Sequence, residues 1–183
     1  MKRGETREKS LFREAVSWIV YILIILTLAF LFVHFVGHRT RVDGMSMYPT
    51  LSDGDHLIVD KLTYQFSDPK RFDIIVFPFR YQEDTYYVKR IVGLPGETVQ
   101  IADGVLYING TALEEDYGRE AIEKGGLASD PITLGEDEYF VLGDNRNDST
   151  DSREPSVGNI DRESIIGKVR IRIWPLSGFG LVE

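Results

Sequence analysis

Three short segments of the chain hold residue types that could carry out chemistry. The first, residues 44–50, reads GMSMYPT and sets Ser46 between two methionines, in a bend bounded by glycine and proline. A hydroxyl presented against an apolar surface can act as a nucleophile when a base lies beside it. Taken alone, the same pattern also fits a plain turn.

The second segment, residues 86–97, reads YYVKRIVGLPGE. Strand alternation places Lys89 on one face with Tyr87 and Ile91, and Arg90 on the opposite face. One of the two cations must therefore point where its apolar neighbours point. Lys89 either extends along its aliphatic stem to solvent, or lies buried near a hydroxyl with its charge suppressed.

The third segment, residues 143–153, reads GDNRNDSTDSR. Its short polar side chains favour turns, and its Asp and Arg residues suit bidentate pairing. A calcium loop is disfavoured, because two arginines lie within the segment and the D-x-D-x-D-G spacing is absent. The segment is expected to be a structured loop.

Composition excludes several kinds of chemistry. The chain has no cysteine, which removes disulfides, thiolate catalysis and Cys-based zinc sites. Its three histidines (His34, His38 and His56) show no paired metal spacing, so no metal and no cofactor are expected. His56 begins a predicted strand and is expected to be structural, so a hydrolase here would need another base. A net charge of -8 disfavours nucleic acid as a partner.

A membrane anchor is predicted near the N-terminus. Residues 15–36 read AVSWIVYILIILTLAFLFVHFV without a formal charge, and a helix of that length spans roughly 33 Å, enough for a bilayer core. The following HFVGHRTRV lacks an A-x-A-like cleavage site. We therefore expect a cytoplasmic tail (1–13), a retained single-pass helix (14–36) in the cell membrane, and an extracytoplasmic domain (37–183), since lysines and arginines precede the helix.

The remainder of the chain is predicted to be mainly β, as a folded-sheet or barrel-like domain. Short segments rich in Val, Ile, Tyr and Phe alternate with turn residues. Asp103-Gly104 and Asn109-Gly110 are hairpin-type pairs. Residues 117–124 are predicted to be helical, within a charged surface excursion over 113–131.

Together these motifs resemble the bacterial type I signal peptidase family, in its short Gram-positive form with a Ser/Lys dyad. The resemblance covers the apolar span, GMSMYPTL, RFDIIVF, YYVKRIVGLPGE, VLGDNRNDSTDSR and IIGK. An organellar inner-membrane peptidase of the same family shares these motifs and stays open. A self-cleaving Ser/Lys repressor would carry a DNA-binding helix-turn-helix where this chain has its apolar span.

The resemblance implies a role for each site residue. Ser46 would be the nucleophile, with its backbone N–H in the oxyanion hole, and Lys89 the general base. A neutral lysine near pH 7 needs its pKa lowered by roughly 2–4 units, which desolvation can supply. Ser149 would orient the lysine amine, and the supporting residues would be Asp151 paired with Arg153, and Asp144 and Arg146 bracing the loop. Some relatives carry a serine donor where this chain has Gly44.

The resemblance also implies the substrate, a signal-peptide-bearing preprotein cut after A-x-A-like residues. The residues expected at the substrate are Val42, Asp43, Gly44, Met47, Leu51, Tyr87 and Val88. The substrate chain would lie as an added strand between residues near 43 and residues 84–88. Residues 77–79 (FPF) could dip into the lipid bilayer or belong to the core. The alternative function is a non-catalytic, membrane-tethered β domain that binds exported polypeptides.

Overall fold

The computed structural model describes residues 13–27, 37–118 and 120–182. The chain forms two compact units, Met1–His38 and Arg39–Glu183. In the first unit, residues 13–27 form helix α1, and its apolar side chains are exposed. Across the described ranges, no helix has both the length and the apolar character needed to span a bilayer. The predicted anchor falls partly on residues 28–36, outside the described residues, so it stays a prediction.

The second unit is built almost entirely of strands. In chain order they are β1 (Gly37–Arg41), β2 (His56–Asp60), β3 (Ile74–Pro78), β4 (Tyr86–Gly93), β5 (Thr98–Ala102), β6 (Val105–Ile108), β7 (Thr111–Ala112), β8 (Ile132–Thr133), β9 (Glu138–Leu142), β10 (Ile160–Asp161), β11 (Gly167–Trp174) and β12 (Gly180–Leu181). A single-turn helix α2 (Thr63–Phe66) follows β2, and short 3-10 turns cover Gly126–Ser129, Arg162–Ser164 and Leu176–Gly178. The prediction of a mainly β domain is confirmed.

The strands form two sheets. The larger has the order β1-β2-β11-β3-β4-β9-β10, with β12 paired to β11, and the smaller has the order β7-β6-β5-β8. Strand β4 lies in the middle of the larger sheet, antiparallel to β3 and to β9. This central position fixes the backbone of the strand that carries Lys89.

Strand β4 is covered on both faces, because its successive apolar side chains pack into two different core clusters. Ile91 packs with Val141 of β9 in one core cluster. Val92 packs with Phe140 and Leu142 in another, together with the smaller sheet. A strand buried on both faces leaves no solvent-facing side for a charged residue.

The two predicted hairpin turns are confirmed. Asp103 and Gly104 have φ of 50° and 78° and join β5 to β6. Asn109 and Gly110 have φ of 52° and 78° and join β6 to β7. Positive φ at both central residues is the type I′ geometry, for which Asn-Gly and Asp-Gly are the preferred pairs.

The predicted helix over residues 117–124 is wrong. Residues 113–125, which we call the strap, are non-helical wherever they are described; residue 119 is not. The Leu113 and Ile122 N–H groups donate to Leu106 and Gly104 carbonyls at 2.8 and 3.2 Å. Ile122 is also buried in the core of the smaller sheet. These long-range contacts outweigh a local helical preference in a segment flanked by glycines.

Residues 77–79 are only partly available to a bilayer. Phe77 is a buried core residue, 2% exposed. Phe79 is half-buried and stacks on Tyr87 with ring centroids 4.7 Å apart, whereas Pro78 is exposed. The core interpretation therefore holds for Phe77.

Candidate active site

Ser46 lies on a tight turn between β1 and β2 that its neighbours anchor in the core. Met47 and Leu51 are 1% and 0% exposed, and the Leu51 N–H donates to the Met47 carbonyl at 2.8 Å. Gly44 has φ of +97°, and a Cβ there would meet nothing within 4 Å. Glycine is favoured at this position by backbone conformation rather than by space.

Lys89 reaches the same point from β4. Its Nζ lies 2.7 Å from Ser46 Oγ and 3.1 Å from the Val88 carbonyl oxygen. The residue is only 4% exposed. The Tyr87 ring lies beside the amine, 5.1 Å from Nζ to the ring centroid. The described side chains thus place a hydroxyl and a buried amine within proton-transfer distance.

Burial lowers the pKa of Lys89 from its ordinary 10.5 to about 8, because the ammonium loses its hydration. The carboxylates of Asp151 and Asp144 act in the opposite direction and raise this pKa. Each carboxylate is held by a guanidinium, Asp151 by Arg153 and Asp144 by Arg90. Desolvation therefore dominates, and a substantial fraction of the amine is neutral just above neutral pH.

Lys89→Met should stabilise the fold at pH 7, since it removes a buried ammonium and keeps the volume. The folded pKa of about 8 lies below the ordinary 10.5, so the full penalty applies below pH 8 and disappears above pH 10.5. We expect a gain in the free energy of unfolding of up to about 3 kcal/mol at pH 7, which shrinks through that window.

Urea unfolding of the detergent-solubilised chain at several pH values measures this difference. Lys61→Met is the matched control, because Lys61 is exposed. A Lys89→Met variant that is less stable than the wild type at pH 7, or a difference independent of pH, would show that the ammonium is not destabilising.

The loop after β9 closes on the dyad from the other side. Asp151 accepts the Gly143 N–H at 3.0 Å and pairs with Arg153 through two contacts of 2.8 Å. Arg153 also donates to the Arg146 carbonyl at 2.5 Å. The loop therefore has an internal scaffold built from its own aspartate and arginines.

Asp144 and Arg146 take partners outside the loop. Asp144 accepts two bonds of 2.8 Å from Arg90, and both side chains are fully buried. It also accepts the Thr50 hydroxyl at 2.5 Å. Arg146 pairs with Glu115 of the strap. Asp144 thus links the loop to β4 and to the turn that carries the nucleophile.

Ser149 sits at the point where three segments meet. A Cβ on Gly143 would lie 2.2 Å from Ser149 Oγ and 2.4 Å from the Ser46 carbonyl oxygen, so only glycine allows this approach. The Ser149 Oγ is buried and has no hydrogen-bond partner within the described chain. The hydrogen bond expected between Ser149 and Lys89 is therefore not present among the described residues. The Lys89 amine bonds the Ser46 hydroxyl and the Val88 carbonyl instead.

The dyad opens into a groove of about 290 Å³. Its lining includes the predicted substrate residues Val42, Asp43, Gly44, Met47, Tyr87 and Val88, with Ser46, Lys89 and Ser149. Leu51 is not among the described lining residues and packs in the core with Met47, so its contact with substrate stays a prediction. The groove is also lined by Tyr86, which lies within the predicted range 84–88, and by residues that the sequence does not predict there: Thr40, Arg41, Met45, Asp148 and Thr150.

The sequence does not predict the contacts by which Arg90 and Asn145 position the site. Strand alternation predicts that at least one of the two cations points toward apolar neighbours. In the structure both Lys89 and Arg90 are buried, on opposite faces of β4. Asn145 donates its N–H to the Ser46 carbonyl at 3.0 Å and its Nδ2 to the Met45 carbonyl at 3.2 Å. The GDNR spelling signals a turn, but nothing local specifies which carbonyls the asparagine reaches.

His56 lies outside the groove. His56 Nδ1 lies 2.9 Å from Arg39 Nη2, and His56 is not among the lining residues. Over residues 13–27, 37–118 and 120–182, no group of His, Asp and Glu side chains is placed to hold a metal ion. Among the described residues that line the groove, Ser46 and Lys89 bring a hydroxyl and an amine within 2.7 Å of each other.

The chain is similar to known proteins over most of its length. The family model described as signal peptidase, peptidase S26, matches residues 15–174. A signal peptidase I of Bacillus caldolyticus is 41% identical over 174 residues, covering 88% of this chain and 91% of the relative. A probable signal peptidase I-2 of Synechocystis is 38% identical over 156 residues, covering 81% and 68%.

Among solved structures, a signal peptidase I from Enterococcus faecalis is similar, with 38% identity and a TM-score of 0.47. The match covers 56% of this chain and 97% of that one. The family match extends from the apolar N-terminal segment through β11 and includes all three chemical motifs. The chain belongs to the signal peptidase family, peptidase S26.

Proposed function

We propose that the chain is a serine endopeptidase that removes N-terminal signal peptides from exported preproteins, with Ser46 as nucleophile and neutral Lys89 as general base. Family membership supports the activity. The observation that carries the mechanism is the 2.7 Å contact between Lys89 Nζ and Ser46 Oγ. Lys89 is only 4% exposed, and both residues line the same groove.

In the proposed reaction Lys89 accepts and then donates a proton in each of two stages, formation of the acyl-enzyme and its hydrolysis. The neutral amine takes the Ser46 proton as Oγ attacks the scissile carbonyl carbon. The resulting ammonium then donates this proton to the leaving amine, and the acyl-enzyme ester remains. The same amine then takes a proton from water, which attacks the ester carbonyl carbon. The ammonium returns this proton to Ser46 Oγ as the ester C–O bond breaks, and the signal peptide is released.

The Ser46 N–H is the proposed oxyanion donor. Within the described part of the chain this N–H makes no hydrogen bond. Since Gly44 offers no hydroxyl, the side-chain donor carried there by some relatives is missing. The developing negative charge would therefore depend chiefly on backbone N–H groups already in place.

The shape of the groove supports cleavage after small residues. Val42 and Val88, which have short apolar side chains, are among its lining residues, and the volume of about 290 Å³ is modest. An extended substrate would run between residues 42–44 and 86–88 as an added strand. These features fit an A-x-A-like sequence before the cut.

We place the enzyme at the cell membrane, as is typical of signal peptidases. Trp18, Ile25 and Leu26 of α1 are 64%, 65% and 59% exposed, which favours lipid as their surroundings. The proposed topology is a cytoplasmic tail over 1–13, a single span over 14–36, and an extracytoplasmic catalytic domain over 37–183.

Mapping the cut in a preprotein tests the activity. Detergent-solubilised chain incubated with a preprotein should release two fragments, and mass spectrometry should place one cut directly after an A-x-A-like sequence. A non-catalytic binding domain would leave the preprotein intact, and cuts scattered through the mature region would contradict a signal peptidase.

A further inference from the structure

We propose that the strap, residues 113–125, is a positioning element of the active site, and that Glu115 and Tyr117 act through Arg146 and Arg90. This inference rests on the proposed function and adds to it two residues that touch neither the dyad nor the groove. The described strap residues contact the catalytic motifs through Arg146, Arg90, Asn147 and Arg153 and are not among the lining of the groove.

Glu115 fixes the loop through Arg146. Both carboxylate oxygens bind the guanidinium, one of them at 2.6 Å, and the two side chains are only 11% and 3% exposed. Arg146 also donates Nε to the Gly143 carbonyl at 3.1 Å. Gly118 lies so close that a Cβ on it would be 3.2 Å from Arg146 Cγ. Arg146 is thus held by the strap on one side and by its own loop on the other.

Tyr117 covers the neighbouring guanidinium. The Arg90 Cζ lies 3.5 Å from the centroid of the Tyr117 ring, and Phe72 packs against that ring at 5.1 Å. Arg90 is the strand neighbour of Lys89 and holds Asp144 with two bonds of 2.8 Å. The ring therefore keeps water from the ion pair that neutralises Asp144, a carboxylate close enough to raise the pKa of Lys89.

Further contacts fasten the strap to the rest of the loop. Asn147 accepts the Glu123 N–H at 3.0 Å and donates Nδ2 to the Ala121 carbonyl at 3.1 Å. Arg153 donates to the Lys124 carbonyl at 3.2 Å. The strap is therefore bound to one loop residue before Ser149 in sequence and to one after it. The buried Ser149 Oγ lies close to Gly143.

The loop passes this constraint to the nucleophile. Asn145 lies between Asp144 and Arg146, the two residues that the strap stabilises, and it holds the Ser46 and Met45 carbonyls. A shift of the loop would move Ser46 away from Lys89. It would also weaken the neutralisation of Asp144, whose carboxylate raises the pKa of Lys89.

The experiment compares four variants of the full chain in detergent on a peptide that spans an A-x-A-like site. Tyr117→Leu should lower kcat about tenfold or more with KM within about twofold, because positioning acts on the chemical step. In this variant the acid limb of the pH profile of kcat/KM should move to higher pH. Arg90 would neutralise Asp144 less completely, and the Asp144 carboxylate would then raise the pKa of Lys89 further. Tyr117→Phe, which keeps the ring over Arg90, should restore wild-type values.

Glu115→Gln should lower kcat several-fold, about 3- to 10-fold, because the bidentate charge pair with Arg146 is lost. Glu114→Gln is its matched control: Glu114 is the adjacent, exposed residue, and the variant should behave as wild type. Thermal melts of all four variants separate changes in folding from changes in catalysis.

The outcomes distinguish this inference from the proposed function. A wild-type chain that cleaves nothing contradicts the function itself. If the wild type cleaves, and Tyr117→Leu changes the melting temperature but neither kcat nor the pH profile, the strap is only structural and the inference is wrong. If Tyr117→Leu does not fold, Glu115→Gln decides, and an unchanged kcat would overturn the inference.

Discussion

Replacing Ser46 or Lys89 with alanine should lower kcat for preprotein cleavage by at least about 10⁴-fold, because each residue supplies half of one proton transfer. The short contact between the two side chains, 2.7 Å, makes them a single unit. The double variant should consequently be no worse than either single variant. Cleavage of a fluorogenic peptide, followed to long times, measures all three.

Lys61→Ala is a suitable control, since Lys61 is exposed and is not part of the groove; it should cleave at the wild-type rate. Full cleavage by either dyad variant would contradict the mechanism. Additive losses in the double variant would indicate that the two side chains act in separate steps.

Breaking the buried pair of Arg90 and Asp144 should produce the largest loss of stability in the catalytic domain. Both side chains are 0% exposed, so Asp144→Ala leaves a guanidinium without its carboxylate in the core. Removal of one partner from a buried pair costs about 3–5 kcal/mol of the free energy of unfolding. The apolar double variant Arg90→Met/Asp144→Leu should recover most of that loss, since neither charge of the pair then remains.

Urea unfolding of the wild type, Arg90→Met, Asp144→Leu and their double variant measures the coupling between the two residues, and Asp144→Ala is measured beside them. Arg170→Met provides the comparison, because Arg170 is 44% exposed and pairs with Asp60 at 3.4 Å; a change below about 1 kcal/mol is expected there. A loss of similar size in Asp144→Ala and Arg170→Met would show that burial does not strengthen the pair.

The strands and turns of this fold follow from local sequence. Asp103-Gly104 and Asn109-Gly110 impose their own backbone geometry, and alternating apolar residues specify which strand faces are buried. The meeting of the Ser46 turn with Lys89 is different, because 43 residues separate them. Only resemblance to a known family, rather than spacing, predicted that contact.

What the sequence could not predict depends on contacts between distant segments. Arg90 finds Asp144 across 54 residues, and its burial follows from a second core on the far side of β4, which the pattern of β4 alone does not reveal. The strap has a helical composition, but Tyr117 and Ile122 are used in tertiary contacts instead.

Direct titration of the Lys89 amine tests the central claim most closely. Lysine labelled with ¹⁵N at Nζ, with the signal assigned by its loss in Lys89→Arg, reports the protonation of this one group by NMR. A pKa of about 8 is predicted, caused by burial beside Ser46. An amine that stays protonated up to about pH 10.4, as an exposed lysine does, would contradict the account.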